Sequence, residues 1–295
     1  MTRVASFSTS GDIRTITSRQ NPSVRAFREL TRTRKLDDDR VLLDGWHLLV
    51  EARQAGVPFE RAVFTTDLLS MPEVARLAHE LLDAGAEVMA VTGAVMEAVS
   101  PVRTPSGVVA IGRRESVTPD RVFARSPQLV LLSLDVQDPG NLGAMIRAAE
   151  AAGATGVIAC GASADPFGWK ALRGAMGSAF RLPIARAPID QAMRAARAAR
   201  VPVLAAVARV GHPLFETDLR GPTALLLGGE GAGVPLGLLE KADAMVSIPM
   251  RAPVESLNVA VAAALLMYEA ARQRGGSSRK IHNPAVRNSS TAQVR

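Results

Sequence analysis

Five polar side chains capable of chemistry fall in three short stretches between residues 138 and 258 of this 295-residue chain. Asn141 and Arg147 lie six apart in DPGNLGAMIRAAEAAGA, Glu230 lies in the loop GGEGAGVP, and Ser256 and Asn258 close the loop PMRAPVESLN. An arginine on an Ala-rich helix can be a plain solvent residue. Here AAEAAGA follows it, so its helical turns share an edge with the strand ends, where α/β domains present ligand sites. Glu230 can be a simple loop acid, yet three glycines stand around it, and glycine lets a ligand approach the backbone closely. Several familiar chemistries find no support. The glycine loop lacks the Gly-Lys-Ser/Thr ending of a phosphate loop, and Pro235 and Leu236 replace the helix start of a dinucleotide fingerprint. His47, His79, His212 and His282 are scattered and Cys160 is alone, so no metal is expected. There is no Gly-x-Ser-x-Gly nucleophile elbow.

The elements that must position these residues are legible. An apolar run, Ala224 to Leu227, meets the loop Gly228 to Gly233. A second run, Met245 to Ile248, meets the loop Pro249 to Asn258, and an apolar helix follows over Leu257 to Ala270. Upstream, Gln128 to Gly161 reads as a βαβ unit. It has a buried-type strand Leu129–Leu134, a turn at Asp138-Pro139-Gly140, a helix to Ala152 capped by Asn141, and a strand Thr155–Ala159. Further on come a helix Lys170–Phe180, a strand Leu182–Ala185, a helix Asp190–Arg200 and a strand Val201–Ala206. His212 and Phe215 are expected in a loop. Arg194, Arg197 and Arg200, spaced by three, read as a solvated face.

The first half alternates too. Residues 1–18 look irregular, and Asn21–Arg34 reads as a helix with Asn21 as cap and Pro22 in its first turn. Arg40 to Gly56 reads as strand, turn and helix. Arg61–Thr65, Glu87–Thr92 and Ser106–Arg113 read as strands, with helices at Pro72–Ala84 and Thr92–Val99. Trp46 and His47 follow a glycine, where an RNA base could stack; tryptophan in a helix of a small domain also serves as core. The expected organisation is a basic arm and short helix over 1–34, an α/β domain over 35–114, a linker over 115–127 with Pro119 and Pro127, a second α/β domain over 128–271 and a basic, disordered tail over 272–295.

Charge sharpens that picture. The chain carries +7 and 47% apolar residues. Residues 1–34 hold seven Arg against Asp12 and Glu29, and 271–295 hold five Arg and Lys280 with no acid, which leaves the body near −4. Basic ends of this kind suit a polyanion, or merely keep a protein soluble. No apolar run approaches the ~20 residues that span a bilayer, and no secretory signal is evident, so a cytoplasmic protein is expected.

The blocks DPGNLGAMIRAAEAAGA, LLLGGEGAGVP and IPMRAPVESLNVAVAAALLMYE, with KALRGAMGSAF between the first two, resemble the SpoU/TrmH-type RNA ribose 2′-O-methyltransferases of the SPOUT superfamily in order and spacing, over about 128–270. RVLLDGWHLLVEA and TPSGVVAIG resemble the ribosomal-protein-like substrate-binding domain of that family. The resemblance implies a parallel sheet with a deep C-terminal trefoil knot, and homodimers with active sites near the interface. The long apolar helix fits burial against a partner, or a core role in one subunit. It implies S-adenosylmethionine held by Leu227, Gly228, Gly229, Gly231, Ile248, Pro249, Met250, Ser256 and Leu257. It places Arg147 at the ribose hydroxyl, as positioner or base. Arginine is effectively always protonated, which favours positioning. Asn141 would orient the hydroxyl or Arg147, Glu230 would organise Arg147 or the ribose, and Ser256 and Asn258 would complete the hydrogen bonding. Arg40, Trp46, His47, Lys170 and Arg173 are the candidate RNA contacts. Ribosomal RNA, in particular 23S, is the expected substrate, because the N-terminal domain exceeds what short tRNA enzymes of the family carry. A tRNA substrate, methylation that confers antibiotic resistance, and a ribosome-binding protein without catalysis are the alternatives.

Overall fold

The computed structural model describes residues 13–32 and 38–275. Most of the expected basic arm and tail lies outside them. The first half runs β1 Arg14–Ile16, α1 Pro22–Arg32, β2 Arg40–Asp44, α2 Trp46–Gln54, β3 Phe59–Thr65, α3 Thr66–Leu69, α4 Pro72–Asp83, β4 Glu87–Val91, α5 Gly93–Val99 and β5 Val108–Arg113. Its sheet has the order β1-β4-β3-β5-β2. It is mixed: β4 is parallel to β1 and β3, while β5 is antiparallel to β3 and β2. The stretch expected to be irregular up to residue 18 thus supplies an edge strand, with Ile16 beside Val91 and buried. Asn21 caps α1 as the sequence predicts, accepting from the Ser23 amide at 2.9 Å. Side chains alternate across this sheet. Leu43, Phe64 and Ala110 join one core, and Leu42, Val63 and Ile111 join the other.

The second half runs α6 Pro119–Val122, β6 Leu129–Leu134, α7 Pro139–Ala151, β7 Gly156–Cys160, α8 Trp169–Ala175, α9 Ser178–Arg181, β8 Ile184–Ala187, α10 Ile189–Ala198, β9 Val203–Val207, β10 His212–Pro213, β11 Thr223–Gly228, α11 Leu236–Leu239, β12 Ala244–Ser247 and α12 Val259–Gln273. Its sheet is wholly parallel with the order β10-β12-β9-β11-β6-β7-β8. Every residue of β6 is buried, as a strand covered on both faces requires. Core residues of α7, α8 and α12 cover one face, and those of α6 and α10 cover the other.

Four expectations change. The linker 115–127 is not a free connection. Val117 bridges Ala185 at the sheet edge, and Val122 and Phe123 are buried in the core under α10. Burial of side chains this large contributes ~2 kcal/mol each, so the segment is held to the second sheet. The helix expected over 170–180 is two, broken where Met176 (φ 49°) and Gly177 (φ 90°) turn left-handed. A Cβ on Gly177 would lie 2.6 Å from a Glu51 carboxylate oxygen, so the glycine makes room for a contact between the two halves. His212 belongs to a two-residue strand against β12, and Leu214 behind it is buried, while Phe215 is exposed. Finally α12 runs to Gln273. Arg272 pairs with Glu269, and Arg274 donates to the Leu219 and Gln128 carbonyls at 2.8 and 3.1 Å. Two cations assigned to the tail therefore belong to the fold.

The halves meet at a seam built by α8 and α9. One continuous core cluster includes Leu49 and Val88 of the first sheet's layer and Leu142 and Leu172 of the second's. Arg181 holds Glu51 of α2 and Glu150 of α7, the latter through bonds of 2.6 and 2.9 Å.

Candidate functional site

The carboxyl ends of β9, β11 and β12 open onto one cavity of about 400 Å³. This is the edge of a parallel sheet where loops, freed from strand pairing, can shape a ligand site. The glycine loop after β11 forms one wall, and at Gly228 and Gly229 it leaves no room for a side chain. A Cβ on Gly228 would lie 2.1 Å from the Gly233 carbonyl, and one on Gly229 would lie 2.1 Å from the Asp135 carbonyl oxygen. Asp135 itself has φ 56°, a left-handed conformation that Asp tolerates better than most residues. Its Oδ1 accepts from the Ala162 amide at 2.6 Å. The turns after β6 and β7 and the glycine loop are thus locked together.

Of the residues expected to hold a cofactor, Leu227, Gly228, Gly229, Gly231, Ile248, Met250, Ser256 and Leu257 line the cavity. Pro249 does not; it is exposed between two residues that do. Ala206, Val207 and Ala208 at the end of β9 also line it and were not foreseen. Their signal was available: β9 is an apolar strand of a parallel sheet, and such strands point their carboxyl ends at ligands. Beside the cavity, Arg209 and Glu255 pair at 2.8 Å and join the loop after β9 to the loop before α12.

Asn141, Glu230 and Asn258 come together from three elements. Helix α7 is capped by Asp138, not by Asn141 as the sequence suggested: Asp138 Oδ1 accepts the Asn141 amide at 2.7 Å, and Pro139 takes the first helical position. Asn141 is therefore inside the helix and its side chain is free. Its Nδ2 donates to Glu230 Oε1, and its Oδ1 accepts from Asn258 Nδ2 at 3.1 Å. Asn258 caps α12, with Oδ1 accepting the Ala260 and Val261 amides at 2.9 and 3.3 Å. The occupied cap oxygen leaves Asn258 only its amide group to offer, and this sets the direction of every bond from α12 to Glu230. Glu230 and Asn258 also line the cavity. A carboxylate oriented by one amide keeps further acceptor capacity toward a hydroxyl.

Arg147 stands apart. It is exposed on α7 and makes no ion pair or hydrogen bond among the described residues. Glu230 is bonded to Asn141 and, among the described residues, makes no contact with Arg147, which leaves the ribose as the other partner expected of it. Six residues along an α-helix amount to about 240° of rotation, which turns Arg147 away from the face that carries Asn141.

The candidate RNA contacts are mostly engaged within the chain. Arg40 holds Asp38 at 2.8 and 3.0 Å. Trp46 is half-buried and packs against the core. His47 is exposed, 4.0 Å from Glu51, and Lys170 lies over the Trp169 ring at 5.4 Å. Arg173 approaches Asp44 at 3.7 Å across the seam. Burial pushes the Asp44 carboxyl above its ordinary range, while a hydrogen bond from Ser100 and the charge of Arg173 oppose that rise. Cys160 is buried and its thiol is pushed up to about 12, chiefly by burial, so it is no nucleophile. Among the described residues no three His, Cys, Asp or Glu side chains gather as metal ligands, and no helix is long and apolar enough to cross a membrane.

Comparison with known proteins bears on this site. Residues 128–268 match the model of the SpoU rRNA Methylase family, and residues 21–110 match the MRM3-like substrate binding domain. The chain is 34% identical, over 86% of its length and 97% of the relative's, to 23S rRNA (guanosine(2553)-2'-O)-methyltransferase RlmP of Bacillus subtilis (strain 168). It resembles the crystal structure of an AdoMet-bound rRNA methyltransferase from Sinorhizobium meliloti, with TM-score 0.80 and 32% identity, covering 88% of this chain and 97% of that one. It also resembles the SpoU methyltransferase AviRb from Streptomyces viridochromogenes in complex with AdoMet, with TM-score 0.77 and 30% identity, covering 86% and 98%.

Proposed function

The chain belongs to the SpoU rRNA methylase family and is an S-adenosylmethionine-dependent RNA ribose 2′-O-methyltransferase; from that premise we propose that its substrate is a ribose of 23S rRNA, oriented by Glu230, Asn141 and Asn258. The observation that carries the reading is the one-way hydrogen-bond chain from α12 to Glu230 at the rim of the glycine-walled cavity. The cavity fits the cofactor: its walls at Gly228 and Gly229 admit no side chain, and Leu227, Ile248, Met250 and Leu257 supply apolar surface. When bound, the cofactor supplies a methyl group on a positively charged sulfur, an electrophile that needs no metal.

The chain's own residues then bind and orient the ribose. Glu230 accepts a hydrogen bond from the ribose hydroxyl, orients its oxygen and takes its proton as that oxygen is methylated; Asn141 and Asn258 keep the carboxylate in place. Ser256 adds a hydroxyl at the cavity wall. Arg147, unpartnered and exposed, serves as an electrostatic positioner of the attacking oxygen or an adjacent phosphate. A guanidinium stays protonated at working pH, so it stabilises developing negative charge rather than removing the proton.

Arg147 sits on the exposed side of α7, and α12, which packs on α7, exposes Val261, Leu265 and Tyr268 along one stripe. We assign this shared face to a homodimer interface, which would bring Arg147 of one subunit beside the other. The return of the chain from β9 through β11 to β12, with β9 lying between the last two strands, is the region we assign to the trefoil knot. His47, Lys170 and Arg173 remain the proposed contacts of the substrate-binding half, and the cytoplasm is the proposed location. Mapping ribose 2′-O-methyl groups on total RNA, with and without the gene, tests the substrate. One 23S position lost with the gene is expected; a lost tRNA position, or none, would overturn the assignment.

A further inference from the structure

We propose that the face of the second sheet opposite α7 and α12 carries a second RNA contact, in which a row of arginines on α10 and the segment after α6 holds phosphates remote from the methylated ribose. This rests on the ribosomal RNA methyltransferase reading above. Ala192, Met193, Ala195 and Ala196 turn α10 inward to the core, and Val122 does the same for α6. The helical period then leaves Arg194 and Arg197 on the outer side, one turn apart, with Arg200 just past the helix end. Helix α6 packs on α10. It carries Arg121 and is followed by Arg125, and both line a cavity of about 690 Å³ that reaches the first domain at Val57 and Pro58.

What distinguishes Arg125, Arg194, Arg197 and Arg200 is that none of them is paired with a carboxylate among the described residues. Among the described residues Arg125, Arg194 and Arg200 form no ion pair, and Arg197 donates only to the Lys241 carbonyl at 3.4 Å. Asp190, the one acid of α10, faces Lys241 at 3.6 Å, and Glu115 faces Arg121 at 3.6 Å. Elsewhere on the same cavity Arg113 and Arg181 are each held by two carboxylates. Like charges one turn apart oppose helix formation, and an anion lying across Arg194 and Arg197 would relieve that repulsion. Asp190, one turn before Arg194, is turned to Lys241 and leaves Arg194, Arg197 and Arg200 without a carboxylate partner among the described residues. The guanidinium fork matches phosphate oxygens, and a folded ribosomal RNA presents phosphates from several helices at once.

The surface lies across the sheet from the proposed ribose site, so only an extended RNA can engage both. The test compares Arg194→Gln/Arg197→Gln/Arg200→Gln with the native full-length protein on two RNAs. One is a short hairpin around the mapped nucleotide and the other is the multi-helix fragment that contains it. For the long fragment, affinity should fall at least tenfold at ~0.1 M salt, and the salt slope should drop by about one for each phosphate no longer neutralised. The hairpin should bind and be methylated as by the native protein. The triple Lys variant keeps the charge and should recover most of the slope. Unchanged affinity and slope on the long fragment would show a solubilising surface only and overturn the proposal. An equal loss of affinity on the hairpin would overturn its remoteness. Failure of the native protein to methylate either RNA would instead count against the substrate, while the binding comparison still decides this surface.

Discussion

Asn258 and Asn141 are joined in one direction only: Asn258 Nδ2 donates to Asn141 Oδ1 at 3.1 Å because Asn258 Oδ1 already takes the first amides of α12. Asn141 must then turn its own amide to Glu230. A helix terminus thereby dictates how a carboxylate two elements away is held.

Replacing Asn258 by Asp separates the two duties. Aspartate caps a helix as well as asparagine, so the thermal midpoint should stay within a few degrees. It has no amide to donate and puts a carboxylate against Asn141 Oδ1, so single-turnover methylation should fall at least tenfold. Asn258→Ala should lose about 1 kcal/mol of stability as well. Native turnover by the Asp variant would remove the hydrogen-bond chain from the mechanism.

The glycines should differ in kind. Gly229→Ala would drive a Cβ to 2.1 Å from the Asp135 carbonyl oxygen and should abolish S-adenosylmethionine binding in calorimetric titration. Gly231 has open space but φ 85°, so Gly231→Ala should cost only the roughly 1–2 kcal/mol of left-handed strain. Equal affinities for the two variants would contradict the close-approach argument.

Arg147→Ala should leave cofactor affinity nearly unchanged, because Arg147 does not line the cavity, yet cripple methyl transfer at saturating cofactor. Lysine keeps the charge and loses the planar fork, so Arg147→Lys should recover little if the fork does the positioning. Near-native single-turnover rates with Ala would exclude Arg147 from the site.

A charge on the exposed stripe of α12 should break the proposed dimer. Light scattering of Leu265→Glu should report a monomer with intact secondary structure, where the native chain reports a dimer. A native chain that is already monomeric at micromolar concentration would end the dimer assignment.

Asp44 predicts a pH dependence of stability. Its folded-state pKa is raised, so the folded protein holds this proton to higher pH than the unfolded chain does. That contribution is present at low pH and is lost as pH rises through the raised value. Asp44→Asn keeps a partner for Ser100 but does not titrate. In urea melts its stability relative to native should therefore increase as pH rises from about 4 toward neutrality. A constant difference would mean that Asp44 titrates normally.

Features set by neighbouring residues were legible along the chain. Strand β6 is apolar at nearly every position and needs no partner to be recognised. Asn21-Pro22 announces a helix start, and the glycines of 228–233 announce a backbone that something must approach. The three spaced motifs sufficed for the family and the cofactor. Which polar groups meet depended on the folded arrangement. Asp138 and Asn141 both suit a cap, and the choice of Asp138 follows from where Pro139 enters the helix, which frees Asn141 for Glu230, 89 residues away in sequence. Asn141 and Arg147 share one linear motif, yet the helical period turns Arg147 away from the face that carries Asn141. The segment 115–127 looks like a linker because prolines and charges dominate it, but Val122 and Phe123 find a core that the segment itself does not contain. Periodicity and caps are properties of a few neighbouring residues, whereas hydrogen-bond partners and buried faces depend on which distant elements the sheet order brings side by side.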